Sequence, residues 1–202
     1  MHDVQDAVRG DTPNAPREDQ VRAVALRLFK EKGYHATSMR DIASEVGINK
    51  GSLYSYIRTK EDLLIPVFER AMGPLVSRME AIAGDSSLGP TERLRRAIHA
   101  HVTNVAEHLD ELTVYLSEWR QLRTESLRNN REQRERYAAQ YHSILQAGVD
   151  TGEFRPMDTR IVMLGVIGMC NYLFRWYRPD GRLTPDQIAD ELTEMVMHGV
   201  IV

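Results

Sequence analysis

The chain has a single cysteine, Cys170, which excludes internal disulfides and any multi-cysteine metal site. It has no stretch approaching the roughly 18 consecutive apolar residues that a membrane span needs. Between Met1 and Arg17 there is no apolar run either, only Asp3, Asp6 and Asp11 among small and polar residues, which reads against a secretory signal and for a cytoplasmic location. No glycine-rich phosphate loop and no nucleophile motif accompanies Cys170, His142 or His198. A thiol in an apolar helix is usually inert, so an enzyme is not expected. His99, His101 and His108 lack the i, i+4 spacing with which a helix holds a metal. They read as pocket-lining or core residues, and neither metal nor cofactor is expected.

What is present is ordinary for a globular protein, with 42% hydrophobic and 27% charged residues. The charge is unevenly placed. From Arg17 to Lys60 there are nine Lys or Arg against five Asp or Glu, and from Glu61 to Val202 sixteen against twenty-one. All four lysines, Lys30, Lys32, Lys50 and Lys60, fall in the first stretch. A basic module on an acidic body suits a phosphate-contacting head carried by a second domain.

The periodicity predicts helices throughout and no strands. Residues 1–16, with Pro13 and Pro16, read as a flexible arm. Val21, Val24, Ala25, Leu28 and Phe29 share one face of a first helix that Gly33 stops. Ser38 and Asp41 make a capping box for a second helix of about two turns, closed at Gly47. Asn49 suits the cap of a third, through about Ile57. Thr59 and Asp62 open a fourth, with a kink expected at Pro66. Beyond Gly84 the helices lengthen: Thr91 to His108, Leu109 to Leu122, Thr124 to Thr151, Asp158 to Tyr177, and one capped by Thr184 running to about Met197.

Two short helices joined at Gly47 after a longer one have the spacing of a helix-turn-helix, in which the second short helix enters a major groove. The run from Thr37 to Leu64, TSMRDIASEVGINKGSLYSYIRTKEDLL, resembles the DNA-binding signature of the TetR family of repressors. The likeness includes Ala25, Phe29 and Gly33 of the first helix and departs at Ile57, where the family more often has Phe. It implies an all-α fold: an N-terminal three-helix helix-turn-helix DNA-binding domain over 17–63, and a C-terminal helical ligand-binding and dimerisation domain over 64–202. The implied activity is repression of transcription at a palindromic operator, relieved by a small-molecule inducer.

Local chemistry suggests roles for the head. Gly51 lets the start of the third helix approach base edges, with Lys50 and Ser52 flanking it and Asn49 as cap. Tyr54 and Tyr56 can donate hydroxyl hydrogens to phosphate, and Lys60 adds charge at a helix N-terminus. Thr37, Ser38 and Arg40 are further backbone contacts by resemblance. Tyr56 has a second reading as core, and Arg40 reads equally as a solvated face.

A doubled head reads two half-sites about one helical turn apart, so a homodimer is expected. The resemblance implies that the last two long helices pair with their mates. The near-continuous apolarity of the first of them, with Gly165 and Gly168 for close approach, agrees. Toward the C-terminus, Tyr172 to Thr184 resembles TetR regulators of fatty-acid, phenylacetate and steroid catabolism, several of which sense acyl-CoA thioesters. That implies an acyl-CoA effector held by Tyr115, Trp119, Arg120, Arg123, Met163, Met169, Tyr172, Arg175, Trp176 and Arg178. The methionines read first as ordinary core and only second as adaptable pocket wall.

Overall fold

The structure, a computed structural model, describes residues 15–118 and 124–201, with side chains over 17–118 and 131–201. Met1 to Asn14, most of the expected arm, lie outside it. Its helices are α1 (Ala15–Lys32), α2 (Met39–Val46), α3 (Lys50–Tyr54), α4 (Glu61–Gly84), α5 (Pro90–Glu107), α6 (Leu109–Glu118), α7 (Thr124–Thr151), α8 (Thr159–Asn171), α9 (Leu173–Trp176) and α10 (Pro185–Val200). Among the described residues there is no strand, only an isolated bridge between Phe154 and Ile201. No described helix is long and apolar enough to cross a membrane. Chain contacts divide the protein into two compact units, one through Leu63 and one from Leu64.

The first unit is built by short-range rules. Ser38 accepts the Asp41 N–H, and the Asp41 carboxylate accepts from the Ser38 N–H at 2.8 Å, so α2 starts on a closed capping box. Gly47, at φ 76°, ends it in the left-handed conformation that lacks a penalty only without a side chain. Val21, Ala25, Leu28 and Phe29 of α1 close on Ile42 and Val46 of α2 and Leu53 of α3, all buried. Two boundaries differ from expectation. Helix α1 begins at Ala15, inside the expected arm, and α3 ends at Tyr54 rather than Ile57, because Ser55 N–H already closes a tighter turn on the Ser52 carbonyl.

In the second unit α5 is the central element, packed against α10, α7 and α8. Leu94, Ala97, Ile98, Val102 and Val105 along it are fully buried. Helix α4 carries Pro74 as well as Pro66 in its interior. A proline cannot donate to the ladder, so Pro74 offers no N–H to the Arg70 carbonyl four residues earlier; at the next carbonyl, Ala71, the buried Asn104 amide donates from the side at 3.0 Å. The predicted helix from Asp158 to Tyr177 is divided: Asp158 caps α8, Tyr172 interrupts it, and α9 is a single turn ending at an extended Tyr177. After α7, Phe154 folds back against Gly148, its N–H bonded to the Gly148 carbonyl at 2.9 Å.

Candidate nucleic-acid interface and internal cavity

Helix α3 is short, so its orientation depends on its anchors. Leu53 is wholly buried, and the Asn49 carboxamide accepts the Ser52 N–H at 2.7 Å. With Leu53 inward, Lys50, Gly51 and Tyr54 are left exposed and Ser52 half-buried. The Lys50 ammonium lies 5.7 Å from the Tyr54 ring centre, a weak cation–π contact that keeps both at one end of the surface. A Cβ on Gly51 would meet Asn49 Oδ1 at 3.2 Å. Gly51 thus keeps the cap intact as well as leaving the helix start bare.

Around this rod the expected contacts divide. Arg40 is exposed and Tyr56 half-buried. Ser38 is exposed, but its hydroxyl donates to Asp41 at 2.7 Å, so its proton is engaged; those bonds hold the Asp41 carboxyl below the usual carboxylate range. The Thr37 side chain is a correction. It is buried, with its hydroxyl on the Gly33 carbonyl at 2.9 Å, because it joins the end of α1 to the start of α2. The Lys60 ammonium is likewise turned inward, donating to the Tyr34 and Thr37 carbonyls at 2.5 and 2.9 Å and lying 4.1 Å from the Tyr34 ring centre. Two carbonyls and a π face hold this charge, so Lys60 clamps the loop between α1 and α2 rather than standing at the surface as a phosphate contact.

The second unit contains a cavity of about 630 Å³. Met72, Leu75, Leu112, Leu116, Leu164 and Ile167 form its apolar walls, from α4, α6 and α8. Tyr115 joins them, its ring edge-on to Phe68. Arg131, Arg134 and Glu135 of α7 line another part, Arg131 paired with Glu135 at 2.7 Å. The polar floor is His101, Tyr137 and Asn171. The Tyr137 hydroxyl is 2.5 Å from His101 Nδ1, and His101 Nε2 is 3.1 Å from Asn171 Oδ1.

Of the residues expected at the ligand, Tyr115 lies on this cavity. Trp119, Arg120 and Arg123 fall outside the described residues. Of the others, Met163 and Met169 are half-buried and Tyr172 and Arg175 exposed, and none of these four lines this cavity. Trp176 and Arg178 line a separate hollow of about 230 Å³. The reason is the phase of α8 and α9, which turn Val166, Cys170, Leu173 and Tyr177 inward. Cys170 is buried, and burial pushes its thiol up to about 12, far from a nucleophile. Sequence reasoning missed Asn171, Arg131 and Arg134; the one usable signal was His101, a polar residue on an otherwise apolar helix face.

Burial pushes His101 down to about 4 from its ordinary 6.5, so it is neutral at pH 7. The unfolded chain takes up this proton below pH 6.5 and the folded one only below about 4. Stability is therefore expected to fall as pH drops from 6.5 to 4, by roughly 3 kcal/mol from this group. His101→Gln should flatten that part of a urea-unfolding profile measured against pH; an unchanged slope would place the titration elsewhere.

Comparison with known proteins agrees with both units. Residues 21–67 match the bacterial regulatory proteins of the tetR family, and residues 87–200, more than half the chain, match the tetracyclin repressor-like C-terminal domain. The chain belongs to the TetR family. Over 200 residues it is 30% identical to the HTH-type transcriptional repressor KstR2 of Mycolicibacterium smegmatis, spanning 94% of each chain. The solved ketosteroid transcriptional regulator KstR2 of Mycobacterium tuberculosis superposes with a TM-score of 0.84 at 28% identity, over 92% of this chain and 95% of that one. AibR, solved in complex with isovaleryl coenzyme A and operator DNA, superposes with a TM-score of 0.77 at 28% identity, over 89% and 97%. This TetR-family chain is thus a DNA-binding transcriptional repressor, not an enzyme, with a helix-turn-helix head and a helical ligand-binding domain.

Proposed function

We propose that the protein binds a palindromic operator in double-stranded DNA as a homodimer and is released by a small apolar effector, an acyl-CoA thioester being the leading class. Residues 17–63 are the reading head in this scheme, and residues 64–202 carry the effector and the dimer contact. The observation that carries the proposal is the exposed edge of α3, Lys50, Gly51 and Tyr54, held by the buried Leu53 and the Asn49 cap. Lys50 and Ser52 would choose bases; Tyr54, Tyr56, Arg40 and the first-turn amides of α2, capped by Ser38, would meet phosphates. An apolar cavity in the second unit supports an effector, since a constitutive DNA binder has no need of one. Arginines on the cavity wall and the isovaleryl coenzyme A in the AibR structure support the acyl-CoA class. Helix α4 begins at Glu61 beside the head and supplies Met72 and Leu75 to the cavity, so an effector that prefers one position of α4 alters the spacing of two heads.

The test is fluorescence anisotropy with DNA from upstream of the protein's own gene at low salt. The expected result is tight binding that Lys50→Ala redirects among operator variants, and that one of a panel of acyl-CoAs reverses. Tyr54→Phe should weaken every sequence alike. No binding in low salt without ligand would end the operator reading, and no release by any acyl-CoA at millimolar concentration would end the effector class.

A further inference from the structure

The floor of the cavity has a direction that its hydrogen bonds determine. Tyr137 is buried, and a buried hydroxyl proton needs an acceptor. His101 Nδ1 is 2.5 Å away; the Tyr141 oxygen is a second partner for Tyr137, but the Asn171 carboxamide oxygen at His101 Nε2 is a bond that favours a proton on Nε2 and so leaves Nδ1 to accept. With Nδ1 accepting, the one proton of the neutral imidazole sits on Nε2. Nε2–H then requires an acceptor, and the Asn171 carboxamide oxygen is 3.1 Å from it. The oxygen is thereby turned to His101. The amide nitrogen, with two N–H donors, is left at a cavity wall with no acceptor among the described residues. Most of the cavity wall is leucine, isoleucine and methionine; Glu135, which has the acceptor oxygens of that wall, is paired with Arg131.

We propose that Asn171 is a specificity-determining residue of this cavity: its side-chain N–H groups read a carbonyl oxygen on the buried part of an otherwise apolar effector. The inference rests on the reading of the cavity as the effector site. A hydrocarbon of the same shape leaves both donors without water and without a partner, and a site built to pair a polar group rejects such an analogue. Tyr137 and His101 are positioning residues. Both also line the cavity, and their part in the preference is to orient the carboxamide.

The experiment titrates the full-length protein, labelled with 15N-asparagine, with 1-tetralone and with tetralin, two bicyclic molecules of like shape that differ by a carbonyl. The chain has six asparagines, and Asn171 follows its only cysteine, so pairwise labelling assigns its backbone amide, and through-bond correlation along the side chain of 13C,15N-labelled asparagine carries the assignment to its carboxamide. Tetralone is expected to bind about tenfold more tightly and to shift the Asn171 carboxamide protons downfield, while tetralin leaves them in place. Asn171→Asp keeps an acceptor for His101 but removes the donors, and should abolish the preference. Equal affinity for the two molecules, or a preference surviving in that variant, overturns the role of Asn171 and leaves the cavity as an effector site. Failure of both molecules to bind overturns the role of Asn171, and the acyl-CoA panel then decides the effector reading by itself. Should the variant not fold, the unmodified protein's carboxamide signals decide alone.

Discussion

Replacing Ile161 and Met195 together by glutamate is expected to leave a folded monomer whose operator affinity is at least about 100-fold lower, because two linked heads bind far more tightly than one. The two side chains are 65% and 58% exposed, on α8 and α10, both of which pack on α5. Along α8 the exposed row continues through Gly165 and Gly168 to Tyr172 at its C-cap, beside Leu164, which is 60% exposed although it also borders the cavity; a Cβ on either glycine would meet nothing within 4 Å. A large apolar row facing open space on a soluble helix marks an interaction surface. Glutamate at 161 lies in the first turn of α8, where a negative charge suits the helix dipole, so the single-chain fold is not penalised. Light scattering at micromolar concentration reads the mass, and circular dichroism checks that helix content is kept. A variant with unchanged mass and affinity would rule this surface out as the proposed dimer contact.

Gly148→Ala should be the most damaging single methyl group in the second unit. A Cβ there would stand 2.1 Å from Phe154 Cδ2 and 2.4 Å from Cε2, far inside contact distance. The ring cannot swing aside. Phe154 is 1% exposed, its N–H is bonded to the Gly148 carbonyl, and it bridges to Ile201 beyond α10. Alanine gains roughly 1 kcal/mol of helix propensity over glycine, yet overpacking of this severity should outweigh it and lower stability by about 3 kcal/mol net. Urea unfolding measures the change. A variant as stable as the parent would show that the segment from Glu153 to Asp158 repacks freely.

Legibility follows the range of the interactions. Helix α2 could be read nearly to the residue because its start, Ser38 with Asp41, and its stop, Gly47, act within four positions of the chain. Helix α3 was overextended because its end depends on which side chains, Leu53 and Ile57, the core takes in. Thr37 and Lys60 have the composition of phosphate contacts, and no local rule reveals that both close the loop after α1 through carbonyls distant in sequence. The basic stretch from Arg17 to Lys60, the acidic remainder and the apolar run after Asp158 are visible in the order of the residues alone.

The chain alone determined the helical class, the two-part organisation and the helix-turn-helix, since caps, glycine stops and a 3.6-residue period are properties of adjacent residues. The tertiary structure decided where the cavity lies and which groups face it. His101, Tyr137 and Asn171 stand on α5, on α7 and at the end of α8, and their meeting depends on the angles at which three helices cross. Packing sets those angles through many weak contacts between side chains far apart in sequence, so no short stretch of residues encodes them.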